Sequence, residues 1–174
     1  MQESSEDSEL PEFYFENEEV NEINGIETDR KELSAYIRVN LLVDSGASVS
    51  GCTEELASRF PKLPAEGQLE FKTANNGKVE NKGTVEMKAM MYNGDERMMR
   101  FKVLDIKRMI VAASALVKNG HRLVFDQECY GGSYAQHRET GRCYRIYERN
   151  GVYEFPVWIR KPSTFGGQSP VVWA

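Results

Sequence analysis

The sequence predicts a mainly β domain, and three features support this fold class. Residues 84–103 alternate apolar and polar side chains on both sides of an Asn-Gly pair, which is the pattern of a long hairpin. Two more such pairs, Asn76-Gly77 and Asn150-Gly151, indicate further tight turns. The hairpin region has no helical periodicity, so we expect a β-meander with only one or two short helices elsewhere.

The first predicted strand covers residues 36–43 and is wholly apolar over its last three positions before it reaches Asp44. A carboxylate at the end of a buried strand loses solvation, so it needs either a partner or a chemical role. Ser45 adds a short hydroxyl, and Gly46 lets the chain turn tightly and brings its N–H to the carboxylate. The small side chain of Ala47 takes up little space next to this turn. This stretch is the candidate functional centre of the chain.

The elements after this turn follow from local signals. Thr53 is a suitable N-cap, and the helix that it begins is predicted to run to about Phe60, before Pro61. A hairpin follows, with strands at 69–73 and 79–83. Further strands are predicted at 84–92, 99–103, 108–114, 121–126, 143–147 and 152–159, with a short helix over 115–118 and loops elsewhere, including 131–133.

Charge divides the chain into three parts. Residues 1–32 hold twelve acidic and two basic side chains, a net charge of −10, whereas the remainder of the chain is net +5. We therefore expect an acidic disordered tail over 1–32, a folded domain over 33–160 and a flexible C-terminal segment over 161–174. The triplet Phe13-Tyr14-Phe15 is the one apolar cluster of the tail, and it suits either a docking motif or a short edge strand.

Composition narrows the classes of function. The three cysteines (Cys52, Cys129 and Cys143) form no disulfide pattern, which indicates a reducing compartment and a cytoplasmic protein. Cys129, His137 and Cys143 lack the fourth ligand and the close spacing of a zinc site, so neither a metal nor another cofactor is expected. No apolar run is long enough to span a membrane, and no dense Lys/Arg run with interleaved aromatic residues suggests a nucleic-acid partner.

Residues 44–47 (Asp-Ser-Gly-Ala) resemble the Asp-[Ser/Thr]-Gly-[Ala/Ser] signature of aspartic proteases. The order of elements from Ser34 to Asp126 resembles the retropepsins, the retroviral-type aspartic proteases. Residues 109–126 are specifically similar to copia-type retrotransposon proteases, and residues 150–153 also have a counterpart there. The resemblance implies a closed β-barrel with a flap hairpin and one or two short helices.

The resemblance also implies a site. Asp44 would be the catalytic acid, Ser45, Gly46 and Ala47 would support it, and a flap would hold substrate backbone with the residues Ala74, Asn75, Asn76 and Gly77. The chain contains one Asp-Ser-Gly, whereas this chemistry needs two carboxylates that share a proton. The implied enzyme is therefore a homodimer with one Asp44 from each subunit.

The implied reaction is hydrolysis of peptide bonds in a retrotransposon-type polyprotein, in the cytoplasm or inside a virus-like particle. The strands at 143–147 and 152–159 are candidates for a sheet between subunits, because their aromatic content suits an interface.

Serine hydrolases and phosphate-binding proteins fit poorly. Residues 46–51 are one residue too long for the Gly-x-Ser-x-Gly motif of serine hydrolases. The chain also has no glycine-rich loop that ends in Lys-[Ser/Thr], as a phosphate-binding loop would. One alternative stays open: a retropepsin-like dimerisation or binding domain that has lost proteolysis. In its favour, retropepsins usually have glycine where this chain has Ala112 or Ala113.

Overall fold

The structure is a computed structural model that describes residues 35–73 and 76–163. These ranges contain twelve strands, two short α-helices and one 3-10 turn (Glu128–Tyr130). In chain order the elements are β1 (Tyr36–Asp44), β2 (Gly51–Thr53), α1 (Glu54–Ala57), β3 (Lys62–Leu63), β4 (Glu70–Lys72), β5 (Lys78–Glu80), β6 (Thr84–Met90), β7 (Glu96–Leu104), β8 (Ile110–Ala112), α2 (Ala113–Lys118), β9 (His121–Val124), β10 (Ser133–His137), β11 (Cys143–Arg149) and β12 (Val152–Arg160).

Six strands close into a barrel in the order β6–β7–β2–β8–β1–β12, and β12 pairs with β6 to complete the ring. The sheet continues beyond the barrel, with β11, β10 and β9 following β12, and β3 beside β6. The strands β4 and β5 form a separate two-stranded sheet. The prediction of a mainly β fold with a closed barrel and two short helices is confirmed.

The barrel interior is built from alternate side chains of its strands, because successive side chains of a strand point to opposite faces. Val85 and Met87 of β6 are fully buried, while Glu86 between them is exposed. Phe101 of β7 and Leu41 of β1 are also fully buried and belong to the same core. Each such side chain contributes roughly 1.5–3 kcal/mol when it is removed from water, so this alternation determines which face of each strand lies inside.

The turns predicted from Asn-Gly pairs are present. Gly94 has φ 82°, and Asn150 and Gly151 have φ 53° and 78°. Backbone with positive φ is accessible to glycine and tolerated by asparagine, which is why these pairs join antiparallel strands tightly. The prediction of hairpins at both places is confirmed by the β6–β7 and β11–β12 pairings.

Three local predictions are corrected. Helix α1 ends at Ala57 instead of Phe60, because Arg59 and Phe60 make i→i−3 bonds to Leu56 and Ala57, which tighten the chain into a turn. The apolar strand at 108–114 gives way to helix α2 already at Ala113. The strands β2 and β10 were not predicted, because three- and five-residue strands next to glycines and serines have no clear local pattern.

The two strands predicted to form a sheet between subunits pair with other strands of the same chain. Strand β12 pairs with β1 along one edge, and its two ends pair with β11 and β6. Strand β11 is held between β10 and β12. Both strands therefore have partners within the described part of the chain, and a sheet between subunits through them stays a prediction.

The predicted disordered tail over 1–32 lies outside the described residues, as does most of the predicted C-terminal segment 161–174. Within 35–73 and 76–163, no helix combines the length and apolar character needed to cross a bilayer.

Candidate active site

Asp44 lies at the C-terminal end of β1, where the barrel strand passes into an exposed loop. Strand β1 pairs in parallel with β8, so that Leu42 lies opposite Ile110, Val43 opposite Val111 and Asp44 opposite Ala112. On its other side β1 pairs with β12 as far as Leu42. Strand β1 is therefore held on both sides as far as Leu42, and Asp44 itself pairs with β8 alone.

The Asp44 carboxylate is oriented by its own loop. Its Oδ1 accepts hydrogen bonds from the backbone N–H of Gly46 at 2.8 Å and of Ala47 at 3.2 Å. The expectation that the Gly46 N–H approaches the carboxylate is therefore met. Both bonds end on Oδ1, and among the described residues no hydrogen bond reaches Oδ2. The second oxygen is available to a group from outside this chain.

Gly46 is required by space and not by backbone conformation. Its φ is outside the positive range that favours glycine. A Cβ at this position would lie 3.3 Å from Asp44 Oδ1, closer than ordinary van der Waals contact. A larger residue would therefore push the carboxylate away from the N–H groups that hold it.

A second layer of contacts joins the Asp44 loop to β8 and α2. The Ser50 hydroxyl accepts a hydrogen bond from the N–H of Ala112 at 3.1 Å, and Ser114 Oγ lies 3.5 Å from the carbonyl oxygen of Ala47. Ala112 is fully buried, and its methyl group is accommodated beside Asp44. Sequence reasoning missed Ser50 and Ser114, because nothing local distinguishes these two serines from others in the chain.

Ser45 is exposed at the outer end of the loop. No hydrogen bond of its side chain occurs among the described residues. The role that the resemblance gives to Ser45, bracing two loops across a dimer, involves a second subunit, and it stays a prediction.

The predicted flap corresponds to the hairpin β4–β5. Phe71 pairs with Val79, and the tip is closed by the bond from the Thr73 N–H to the Gly77 carbonyl at 2.9 Å. Asn76 has φ 62°, as the Asn-Gly turn predicts. Ala74 and Asn75, which were assigned to substrate binding, lie outside the described residues.

The base of this hairpin is anchored by one buried amide. Asn81 is 4% exposed, and its N–H donates to the carbonyl of Leu69 at 2.7 Å. Its side-chain Nδ2 donates to the carbonyl of Gln68 at 3.0 Å, while its Oδ1 accepts from the N–H of Gly83 at 3.2 Å. The base of the hairpin is therefore anchored, and among the described residues its two strands pair only with each other.

Among the described residues, no three His, Cys, Asp or Glu side chains gather in a cluster that could hold a metal ion. Cys129 lies in the 3-10 turn and is exposed, and Cys143 begins β11.

Comparison with models of protein families finds no family that matches this chain. Comparison with curated proteins finds no matching relative either.

The arrangement supports a limited set of chemistries. A single carboxylate with one oxygen held and one oxygen free can orient a water molecule or accept a proton. It lacks a second acid in the same loop. A reaction that needs both a general base and a general acid must therefore take its second group from outside this loop.

Proposed function

We propose that this chain is an aspartic endopeptidase of the retropepsin type that acts as a homodimer on a retrotransposon-type polyprotein. The observation that carries the proposal is the position of Asp44. It ends a barrel strand that pairs in parallel with β8, and its Oδ1 is held by two backbone N–H groups of an Asp-Ser-Gly-Ala loop.

The proposed mechanism uses one Asp44 from each subunit. Two carboxylates within hydrogen-bond distance share a single proton, because both cannot ionise at such a separation. The ionised one takes a proton from water as it attacks the peptide carbonyl, and the protonated one donates to the carbonyl oxygen. The N–H groups of Gly46 and Ala47 keep each carboxylate in place throughout.

The hairpin β4–β5 suits the part of a flap. Closing such a cover over an extended peptide excludes water and adds backbone hydrogen bonds to the substrate. The turn residues Asn76 and Gly77, together with Ala74 and Asn75, would make these contacts. No cofactor takes part in this mechanism.

The second candidate function is a retropepsin-like dimerisation or binding domain without proteolysis. Ala112 or Ala113, in place of the usual glycine, motivates it. The hydrogen bond from the Ala112 N–H to Ser50 weakens this alternative, because the loop remains braced with the methyl group present.

Incubation of the purified chain with a mixed peptide library, with and without a statine-type inhibitor, tests the proposal. We expect cleavage that the inhibitor blocks and that Asp44→Asn removes. Asp105→Asn, which changes an exposed carboxylate in the connection between β7 and β8, is the matched control and should cleave normally. A dimer that cleaves nothing would favour the binding domain, and a monomer at high micromolar concentration would contradict both.

A further inference from the structure

A groove opens in the barrel wall between the first half of β7 and helix α2. Strand β2 is only three residues long and pairs with β7 at residues 102–104, so among the described residues β7 has no partner on this side over Glu96–Phe101. The cavity behind the gap has a volume of about 450 Å³, which lies within the roughly 300–1,000 Å³ of ligand sites.

The edge of β7 in this groove carries unpaired backbone groups. The N–H of Lys102 donates to Ser50 on the β2 side, whereas the N–H of Val103 donates to Gly83 on the β6 side. Because backbone groups alternate between the two edges of a strand, the N–H and C=O of Met98 and Arg100 point into the open groove. Such an edge is a template for an added strand.

The floor of the groove is apolar, and its rim carries two arginines and two histidines. Met91, Val111 and Phe155 lie at the floor and are each at most 6% exposed. The polar part of the lining includes Arg97, Arg100, His121 and His137, and no carboxylate occurs among the described residues that line the cavity. Arg100 forms an ion pair with Glu86, and Arg97 forms one with Asp95. Neither carboxylate lines the cavity.

These features suit an extended segment with large apolar side chains flanked by acids. The chain itself contains one in residues 12–16, Glu-Phe-Tyr-Phe-Glu, within the part that carries a net charge of −10. The described part of the chain starts next to the groove, because the hydroxyl of Tyr36 lies 3.3 Å from Glu96 Oε1 at the first residue of β7.

The connection is also long enough. About twenty residues separate Phe15 from Tyr36, and a chain of that length can span up to roughly 70 Å when it is extended. A tether of this kind gives a local concentration on the order of millimolar, so even weak contacts keep the segment bound.

We infer that residues 12–16 bind in the groove between β7 and α2, adding a strand to β7 with aromatic side chains over the apolar floor. The segment covers an edge that would otherwise accept a strand from another molecule. This inference does not depend on whether Asp44 is catalytic.

Amide hydrogen exchange of the full chain, resolved by NMR, tests it. We compare the wild type with the triple variant Phe13→Ala, Tyr14→Ala, Phe15→Ala. The amides of Met98 and Arg100 should exchange at least about tenfold faster in the variant, because an amide covered nine-tenths of the time is slowed by that factor. The Val103 amide, bonded inside the barrel, is the internal reference and should not change.

Two controls make the result specific. Tyr130→Ala removes an aromatic side chain that is 76% exposed in the 3-10 turn outside the groove, and it should leave both amides unchanged. A synthetic peptide of residues 8–20 added to the triple variant should restore protection, and the same peptide with alanine at 13–15 should not.

Two outcomes overturn the inference. Equal exchange of the Met98 and Arg100 amides in the wild type and the triple variant would show that the segment does not cover this edge. Protection that survives in the triple variant and grows with protein concentration would assign the groove to a second copy of the chain.

Discussion

The hydroxyl of Ser50 accepts a hydrogen bond from the backbone N–H of Ala112 at 3.1 Å, across 62 positions of the chain. Ala112 lies opposite Asp44 in the parallel pairing of β1 and β8. This bond therefore links the two sides of the Asp44 loop, and the position of the carboxylate depends on it.

Ser50→Ala should loosen this link. The buried Ala112 N–H would lose its acceptor, so we expect the free energy of unfolding to fall by about 1 kcal/mol. Peptide cleavage should fall as well, because the carboxylate would be less firmly placed. Denaturant unfolding and cleavage assays measure the two effects. Ser48→Ala, at an exposed position of the same loop, is the control and should change neither.

Asp95 connects the hairpin β6–β7 to β11, and it makes stability depend on pH. Its Oδ1 accepts from Arg142 at 2.7 Å, and its Oδ2 accepts from the Tyr144 hydroxyl at 3.0 Å. Burial favours the neutral acid, but the hydrogen bonds from Tyr144 and Arg142 outweigh it and hold the pKa of Asp95 below its usual value.

A lowered folded-state pKa means that Asp95 stabilises the protein above its unfolded pKa of about 3.9, and that this contribution is lost as pH falls through the folded value. Asp95→Asn should therefore cost up to about 1 kcal/mol at pH 7, since the ion pair is partly exposed. The difference from the wild type should shrink below about pH 4. Unfolding curves from pH 3 to 7 measure it, and a difference that is constant over this range would contradict the assignment.

The three cysteines should react with thiol reagents at very different rates. Cys52 is fully buried, and burial raises its pKa to about 11. Burial also raises the pKa of Cys143, whereas Cys129 is exposed. Because the thiolate is the reactive form, we expect Cys129 to be labelled first, Cys143 next and Cys52 only after unfolding. Mass spectrometry of partly labelled protein gives the order, and early labelling of Cys52 would show that the core opens readily.

Local patterns were sufficient to predict much of this barrel. The alternation of β6 and β7 and the turns at Gly94 and Gly151 are properties of neighbouring residues, so the sequence alone indicates them. The Asp44 loop was predictable for the same reason. A carboxylate directly after an apolar strand loses solvation, and this unfavourable position is visible in the local sequence.

The remaining features depend on contacts between distant residues. Strand β2 exists because it fits between β7 and β8, and its own three residues carry no strand pattern. The closed barrel determines the hydrogen bond from Ala112 to Ser50 and the pairing of β12 along both of its edges. Only the three-dimensional arrangement reveals these contacts. The aromatic content of β11 and β12 did not reveal their pairing inside the chain, because residues buried within a chain and residues buried in an interface give the same signal.

Asp44→Asn tests the proposed mechanism most directly. The amide keeps the shape of the side chain and an oxygen that can accept from the N–H groups of Gly46 and Ala47, so the fold and the dimer should persist. Cleavage should be lost, because the variant pair has no ionised carboxylate to act as base. Wild-type activity should be bell-shaped in pH and centred on the acidic side, since the active pair carries one proton.

Mixing the two chains gives a sharper result. A heterodimer has one working acid and should be inactive, so an excess of Asp44→Asn chains should suppress wild-type cleavage once subunits exchange. With nine variant chains for each wild-type chain, about one-tenth of the wild-type chains should find a wild-type partner, and activity should fall about tenfold if association is random. Asp105→Asn chains added in the same excess should not suppress cleavage. If Asp44→Asn chains leave the wild type fully active while subunits exchange, then the two Asp44 carboxylates do not act as a pair.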